Sequence, residues 1–209
     1  MKTLLITASL LGALWLPGTA SAQAPARSPA TVTAFETLSH GNFKNVALYR
    51  PQGEAKSFVL FLSGDAGWTP ALGAQAQALA ARGALVAGIH TPHLLAALTK
   101  SGGDCLLPDG DLENLSHFLQ GYARLPGYFV PLLVGEGLGG TLAYAMLAQA
   151  PADTFGGAVS MGFCPTLAVG RPLCKGDGVI RSRSVSNSAS VLWGICLETS
   201  QNKRLVIRR

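Results

Sequence analysis

Charged residues are scarce in this chain. Only 13% of its 209 residues are Asp, Glu, Lys or Arg, roughly half the usual share of a soluble domain, while 48% are apolar. A disordered chain has the opposite composition, so disorder over the whole length is excluded. Glycine and proline are frequent, at 25 and 12 residues, but they follow no collagen-like period, which excludes a fibrous protein. We expect a single globular domain.

Acidic residues are fewer than basic ones, 11 against 16, but the excess is local. Residues 179–209 hold six basic residues and only one acidic residue, which leaves ten of each sign in the first 178. The body of the chain is therefore neutral. It offers no basic face for a nucleic acid, and we expect no nucleic-acid partner.

The chain also lacks an apolar run long enough to span a membrane. Its longest apolar run, at residues 4–16, is shorter than the ~20 residues that a membrane-spanning helix needs. It follows Lys2 and precedes Pro17 and the sequence Ala20-Ser21-Ala22, which is typical of a cleavable signal peptide. We predict a signal peptide at 1–22, a flexible leader at 23–30, export to a periplasm and no transmembrane span after cleavage. An uncleaved anchor is the alternative.

The four cysteines form no C-x-x-C pair, so the zinc spacing is absent and we expect no metal site. Export makes disulfides possible. Cys164 and Cys174 lie ten positions apart across a Pro- and Gly-containing loop, which favours a bridge between them. Cys105 would then be free or paired with Cys196.

Short apolar runs alternate with helical patterns between residues 31 and 178, which predicts an α/β domain with a doubly wound, mostly parallel sheet and an N-terminal β-hairpin. The tail at 179–209 is basic and contains Ser and Arg, and we predict that it is irregular and poorly ordered, either as a disordered extension or as the product of an altered reading frame. Its one strand-like run is 191–197. The predicted hairpin strands are 32–38 and 44–50, the further strands 57–63, 84–90, 129–135 and 155–161, and the helices 71–82, 94–100, 111–124 and 138–150.

The most specific motif follows the third parallel strand. Gly135, Glu136, Gly137, Leu138 and Gly139 have the strand-turn-helix spacing of the nucleophile elbow, G-x-S-x-G, but glycine stands where the serine belongs. Two other interpretations remain open. The same segment matches the dinucleotide pattern G-x-G-x-x-G, although no acidic residue ends the next strand, and its glycines also suit close packing of a helix on a strand.

A catalytic triad of the usual order is incomplete. In α/β-hydrolases the acid and the histidine follow the nucleophile along the chain, yet no histidine follows Gly137. Asp65, His90 and Glu136 stand at strand ends that should converge, so they are the remaining catalytic candidates. Each also has an ordinary interpretation, as a turn residue, a hydrogen-bonded strand end and a solvated side chain.

Several segments in order resemble the bacterial virulence family AcvB/VirJ over about residues 32–178. The resemblance implies an α/β-hydrolase-like fold in the periplasm and hydrolysis of lysyl-phosphatidylglycerol, with links to virulence and type IV secretion. The similar segments are 62–68 (LSGDAGW), 108–117 (PDGDLENLSH), 135–145 (GEGLGGTLAYA), 147–151 (LAQAP), 162–165 (GFCP) and 173–176 (LCKG).

Against this family the chain keeps a loop typical of an oxyanion hole, formed by Gly64, Asp65, Ala66 and Gly67, but members commonly have serine where Gly137 stands. We therefore predict a non-catalytic lobe or remnant related to AcvB/VirJ, with no cofactor. The alternatives are a periplasmic aminoacyl-phospholipid hydrolase that uses non-standard residues, and a scaffold that binds phospholipid head groups or a periplasmic partner protein. A damaged gene product without a stable fold is a further possibility.

Overall fold

A computed structural model of the chain describes residues 35–162, residue 167, residues 169–174 and the backbone of a strand at Arg204–Ile207. The predicted signal peptide and leader, Cys164, Cys196 and the run at 191–197 lie outside these residues. The strands are β1 (Glu36–His40), β2 (Phe43–Tyr49), β3 (Ser57–Leu62), β4 (Ala84–Ile89), β5 (Leu132–Glu136), β6 (Gly157–Met161) and β7 (Arg204–Ile207), and the helices are α1 (Pro70–Ala80), α2 (Thr91–Lys100), α3 (Pro108–Tyr122) and α4 (Leu138–Gln149).

The strands form one sheet in the order β1-β2-β4-β3-β5-β6-β7. The four central strands β4, β3, β5 and β6 are parallel, whereas the hairpin β1–β2 joins one side antiparallel and β7 joins the other side antiparallel. The predicted α/β class, the mostly parallel sheet and the N-terminal hairpin are confirmed. β7 is not among the predicted elements.

Side chains of the central strands alternate between two apolar layers. Phe58, Leu60 and Leu62 of β3 pack with residues of α2, α3 and α4 on one side, which we call the α4 face. Val59 and Phe61 pack with residues of α1 on the other side, the α1 face. Full burial of side chains of this size contributes about 1.5–3 kcal/mol each, so these two layers hold the sheet together.

Two helices begin earlier than the sequence pattern predicts. α2 begins at Thr91 rather than 94, and α3 at Pro108 rather than 111. Both first turns contain a proline, which lacks an N–H but loses no hydrogen bond there, because the first amides of a helix have no partner within it. The apolar periodicity starts only after this polar turn, so it misses the turn.

The predicted Cys164–Cys174 disulfide is wrong, because Cys174 is bonded to Cys105, with Cα atoms 4.8 Å apart. The pairing of Cys105 with Cys196 and a free Cys105 are wrong for the same reason. Two backbone hydrogen bonds of 2.8 Å join Leu106 to Pro172 and to Cys174, and they bring the two cysteine-bearing segments side by side. The short spacing in sequence favoured a bridge within the local loop, but the observed disulfide joins two cysteines that are 69 positions apart.

β7 continues the sheet beyond β6, with Arg204 beside Met161 and Ile207 beside Ala158. An edge strand presents unpaired N–H and C=O groups that accept a further strand, which explains why a short segment far along the chain pairs there. In the described part of the chain, every helix is too short or too polar to cross a membrane.

Candidate functional site

The turn between β5 and α4 has an unusual backbone. Gly137 adopts φ 52° and ψ −117°, a region that glycine enters at little cost and that side-chain-bearing residues occupy under strain. Its N–H donates to the Met161 carbonyl at 2.8 Å, and its own carbonyl accepts from the Thr141 N–H at 3.0 Å. These two bonds fix the sharp strand-turn-helix that the sequence predicts.

The glycines around this turn are required by space. A Cβ on Gly135 would lie 2.2 Å from the Gly139 carbonyl oxygen, and one on Gly139 would lie 2.3 Å from that of Leu62. At Gly140 the Met161 carbonyl oxygen would be 3.0 Å away. The glycines therefore allow α4 to approach β5 and β3 closely, and this approach accounts for the G-x-G-x-x-G pattern without a nucleotide.

Gly137 is different, because a side chain fits there. A Cβ on this residue would meet only Asp65 Oδ2 at 3.7 Å and the Gly64 Cα at 3.8 Å, which are ordinary contact distances. A residue at this apex would point toward the loop that follows β3. The central serine of an elbow is absent from a place that has room for it.

The loop between β3 and α1 lies against the elbow. It closes on itself through a 3.0 Å hydrogen bond from the Gly67 N–H to the Gly64 carbonyl. A Cβ on Gly64 would lie 3.4 Å from the Glu136 carbonyl oxygen, so the loop and the end of β5 are in contact. In α/β-hydrolases an N–H of this loop and the N–H of the residue after the nucleophile form the oxyanion hole. In this chain the loop and the elbow lie side by side at the same end of the sheet, which is the arrangement found in that fold.

Between the loop and the elbow lies a cavity of about 220 Å³. Among the described residues, its charged lining consists of Asp65 and Glu136, both of which are exposed, without a basic residue. Leu138 begins α4 beside it, with an amide that has no acceptor inside the helix. The lining residues are Gly64, Asp65, Ala66, Gly67, Thr69, Leu72, Glu136 and Gly137.

His90 is not among the residues that line the cavity. Its ring packs against the Cα of Gly67, where a Cβ would lie 2.1 Å from Nε2. Nδ1 accepts from the His93 N–H at 3.3 Å and so caps α2, and the two imidazoles stack with centroids 3.6 Å apart. Burial, and then the nearby His93, lowers the pKa of His90, which favours the neutral ring that this cap requires.

Of the three catalytic candidates, the structure therefore brings Asp65 and Glu136 into one cavity. His90 does not line that cavity and packs against Gly67 of the loop. The other described histidines have structural contacts elsewhere. His40 hydrogen-bonds to Asn114 and stacks on Phe118, and His117 stacks on Tyr128.

Three residues near the site were not singled out by the sequence. Thr69 and Leu72 line the cavity, and the Thr69 hydroxyl accepts from the Leu72 N–H at 3.3 Å, which caps α1. Buried Ser63 accepts from the Thr91 N–H at 3.0 Å and donates to the Gly64 carbonyl, which ties the loop to α2. The Thr-Pro pair at the start of α1 was the available signal for Thr69, since Thr caps helices and Pro opens them.

No protein-family model matches the chain, and no curated protein matches it. It is similar to solved structures of an acylaminoacyl peptidase of Pyrococcus horikoshii (18% identity, TM-score 0.44, 63% of this chain and 24% of that chain) and of esterase 2 of Thermogutta terrifontis phosphoramylated by tabun (16%, 0.44, 68% and 61%). A lipase in its open form is also similar (16%, 0.41, 64% and 44%). The chain thus spans less than two thirds of each of these proteins, and similarity this low establishes no activity.

Proposed function

We propose that this chain is an exported, AcvB/VirJ-like protein that binds the cationic head group of an aminoacyl phospholipid, such as lysyl-phosphatidylglycerol, without hydrolysing it. One observation carries the proposal: the cavity at the elbow has two carboxylates as its charged lining and no nucleophile at its apex. The lipid class comes from the family resemblance, and the charge of the cavity supports it.

The missing chemistry argues for binding rather than turnover. Acyl transfer through an elbow needs a nucleophile and a base within hydrogen-bond reach of it. Gly137 has no side chain, and the imidazole of His90 is held behind Gly67 as the cap of α2. Among the described residues Asp65 and Glu136 remain, and exposed carboxylates are poor bases for an ester at neutral pH.

The charge of the cavity favours a cation. A lysyl ester carries two ammonium groups, whereas free phosphatidylglycerol carries only a phosphate. Each exposed carboxylate–ammonium pair contributes up to about 1 kcal/mol, so Asp65 and Glu136 together give a preference of up to about thirtyfold. The Leu138 amide, which has no acceptor inside α4, suits a carbonyl or phosphate oxygen of the same head group.

Location and partners follow from the same proposal. A signal peptide at 1–22 would deliver the chain to the periplasm, where it would face the inner membrane. A role in virulence or type IV secretion, through a periplasmic partner protein, is the part of the proposal that rests on the resemblance alone.

Vesicle binding tests the proposal. The mature chain is sedimented with vesicles of phosphatidylglycerol alone and with vesicles that contain lysyl-phosphatidylglycerol, while free lysine is measured in the supernatant. We expect stronger binding to the second kind, loss of that difference in Asp65→Asn/Glu136→Gln, and no lysine above the lipid-only blank.

Asp153→Asn is the matched control, because Asp153 is an exposed acid in the turn before β6, at the opposite end of the sheet. It should leave the difference unchanged. Release of lysine by the wild-type chain, abolished by Glu136→Gln, would instead support the alternative hydrolase. Equal binding to both kinds of vesicle would contradict the proposal.

A further inference from the structure

The α1 face of the sheet is incompletely covered. Apolar side chains on this side of β5 and β6 are only partly buried, and Leu132 is 39% exposed, whereas Leu133 on the opposite face is fully buried. We call this surface the open face; it consists of Leu132, Val134, Val159 and Met161. No charged residue is part of it.

The helices explain the difference between the two faces. Among the described helices, α2, α3 and α4 contribute to the apolar layer of the α4 face, and α1 alone contributes to that of the α1 face. α1 packs mainly against β4 and β2, while the open face lies on β5 and β6. Parallel strands are normally covered on both faces, but the described helices leave the open face without a cover.

We propose that residues 191–197 (VLWGICL) of this chain cover the open face. These seven residues are the longest apolar run between Cys174 and β7, and no charged residue occurs from 185 to 197. The segment can therefore lie on an apolar surface without burying a charge, which a charged segment could not do cheaply.

The path of the chain places this segment within reach. β7 is paired to β6, with Arg204 beside Met161, so the chain returns at a fixed point to the sheet edge beside β6, one of the two strands of the open face. Only residues 198–203 separate the run from Arg204, and six extended residues span up to about 20 Å. The distance from β7 to β5 is two strand spacings, or about 10 Å.

Such a cover would support the candidate site. β5 ends at Glu136 of the elbow, and Met161 of β6 accepts the hydrogen bond that fixes Gly137, so both strands of the open face help to hold the elbow. The inference does not depend on the proposed function, because it concerns packing and would hold for any ligand of the cavity.

Cross-linking in the full chain tests the inference. Cys196 lies inside the run, so Leu132→Cys in a Cys164→Ser background places one thiol on the open face and one in the segment. Under mild oxidation we expect an intramolecular 132–196 disulfide in at least about tenfold greater yield than with Ala96→Cys, because a docked segment has a high effective concentration. Ala96 is the matched control, since it is exposed on α2, which packs on the opposite face.

Fluorescence gives an independent readout. Trp15→Phe/Trp68→Phe leaves Trp193, in the run, as the last of the three tryptophans. We expect its emission to be blue-shifted from that of the urea-unfolded chain, and to shift back to the red on Val134→Asp. Water-like emission together with equal cross-linking yields would overturn the inference. So would an intermolecular cross-link in a dimer of two chains, because the cover would then be a second copy.

Discussion

At the residue scale, Gly137 separates the shape of the site from its chemistry. The elbow backbone, with φ 52° and ψ −117°, is formed although the residue at its apex has no side chain. Backbone carbonyls leave no room for a side chain at the flanking residues Gly135 and Gly139, whereas a side chain at Gly137 would face open space and Asp65. The geometry therefore does not depend on a serine.

This difference predicts losses of stability of different size for two glycine substitutions. Gly137→Ser should fold and lose about 1–3 kcal/mol of unfolding free energy, the cost of a side chain in this backbone region. Gly139→Ser should lose more than about 4 kcal/mol, because its Cβ would lie 2.3 Å from the Leu62 carbonyl oxygen. Urea unfolding of both variants measures the difference, and equal losses would show that the elbow is not packed as described.

A titration prediction concerns His90. Its pKa is lowered by burial and by His93, so the folded state binds fewer protons at this ring than the unfolded state. Unfolding free energy should therefore fall as the pH drops below about 6.5, the unfolded pKa, and the contribution should be fully present above it.

His90→Asn provides the measurement, because asparagine also caps a helix but does not titrate. Urea unfolding between about pH 5 and pH 8 should show a smaller pH dependence for this variant than for the wild type. His117→Asn, on the exposed side of α3, is the control and should retain the wild-type dependence. A variant with the wild-type slope would mean that another group is responsible.

At the element scale, the Cys105–Cys174 disulfide joins the segment between α2 and α3 to the segment after β6 across 69 positions. Closing a loop of this length restricts the unfolded chain, and removal of such a bridge typically costs about 2–5 kcal/mol. Cys105→Ser/Cys174→Ser should lose unfolding free energy in this range. Cys164→Ser should keep the bridge, which peptide mapping by mass spectrometry can confirm, and a 164–174 peptide in the wild type would contradict the described pairing.

The elements also show what the sequence could reveal. Continuous apolar runs located β3, β4, β5 and β6, because strands covered by helices need apolar residues on both faces. The elbow was visible because its glycines have a fixed spacing. The disulfide and β7 were not, since each depends on a contact between segments distant in sequence, and the divergence of His90 from Asp65 and Glu136 depends on which way a side chain turns at a strand end.

At the scale of the whole molecule, a neutral body with a small acidic cavity is followed by a basic tail. The cavity presents Asp65 and Glu136, whereas residues 179–209 carry six of the basic residues against one acidic residue. An anionic membrane attracts basic residues near its surface by about 1 kcal/mol each, and salt screens this attraction over about 10 Å at 0.1 M. Binding to phosphatidylglycerol vesicles should therefore weaken as salt increases.

The preference for lysyl-phosphatidylglycerol over phosphatidylglycerol should not require the basic tail, because it arises from head groups in contact with the carboxylates of Asp65 and Glu136. Arg208→Gln/Arg209→Gln should weaken binding to phosphatidylglycerol vesicles by about thirtyfold at low salt. Binding to vesicles that contain lysyl-phosphatidylglycerol should weaken less, because that lipid carries net positive charge, so the preference should rise. Asp65→Asn/Glu136→Gln should abolish the preference and leave the salt dependence on phosphatidylglycerol intact. Sedimentation across a salt series measures both quantities. If the arginine substitutions removed the preference as well, it would belong to the tail and not to the cavity at the elbow.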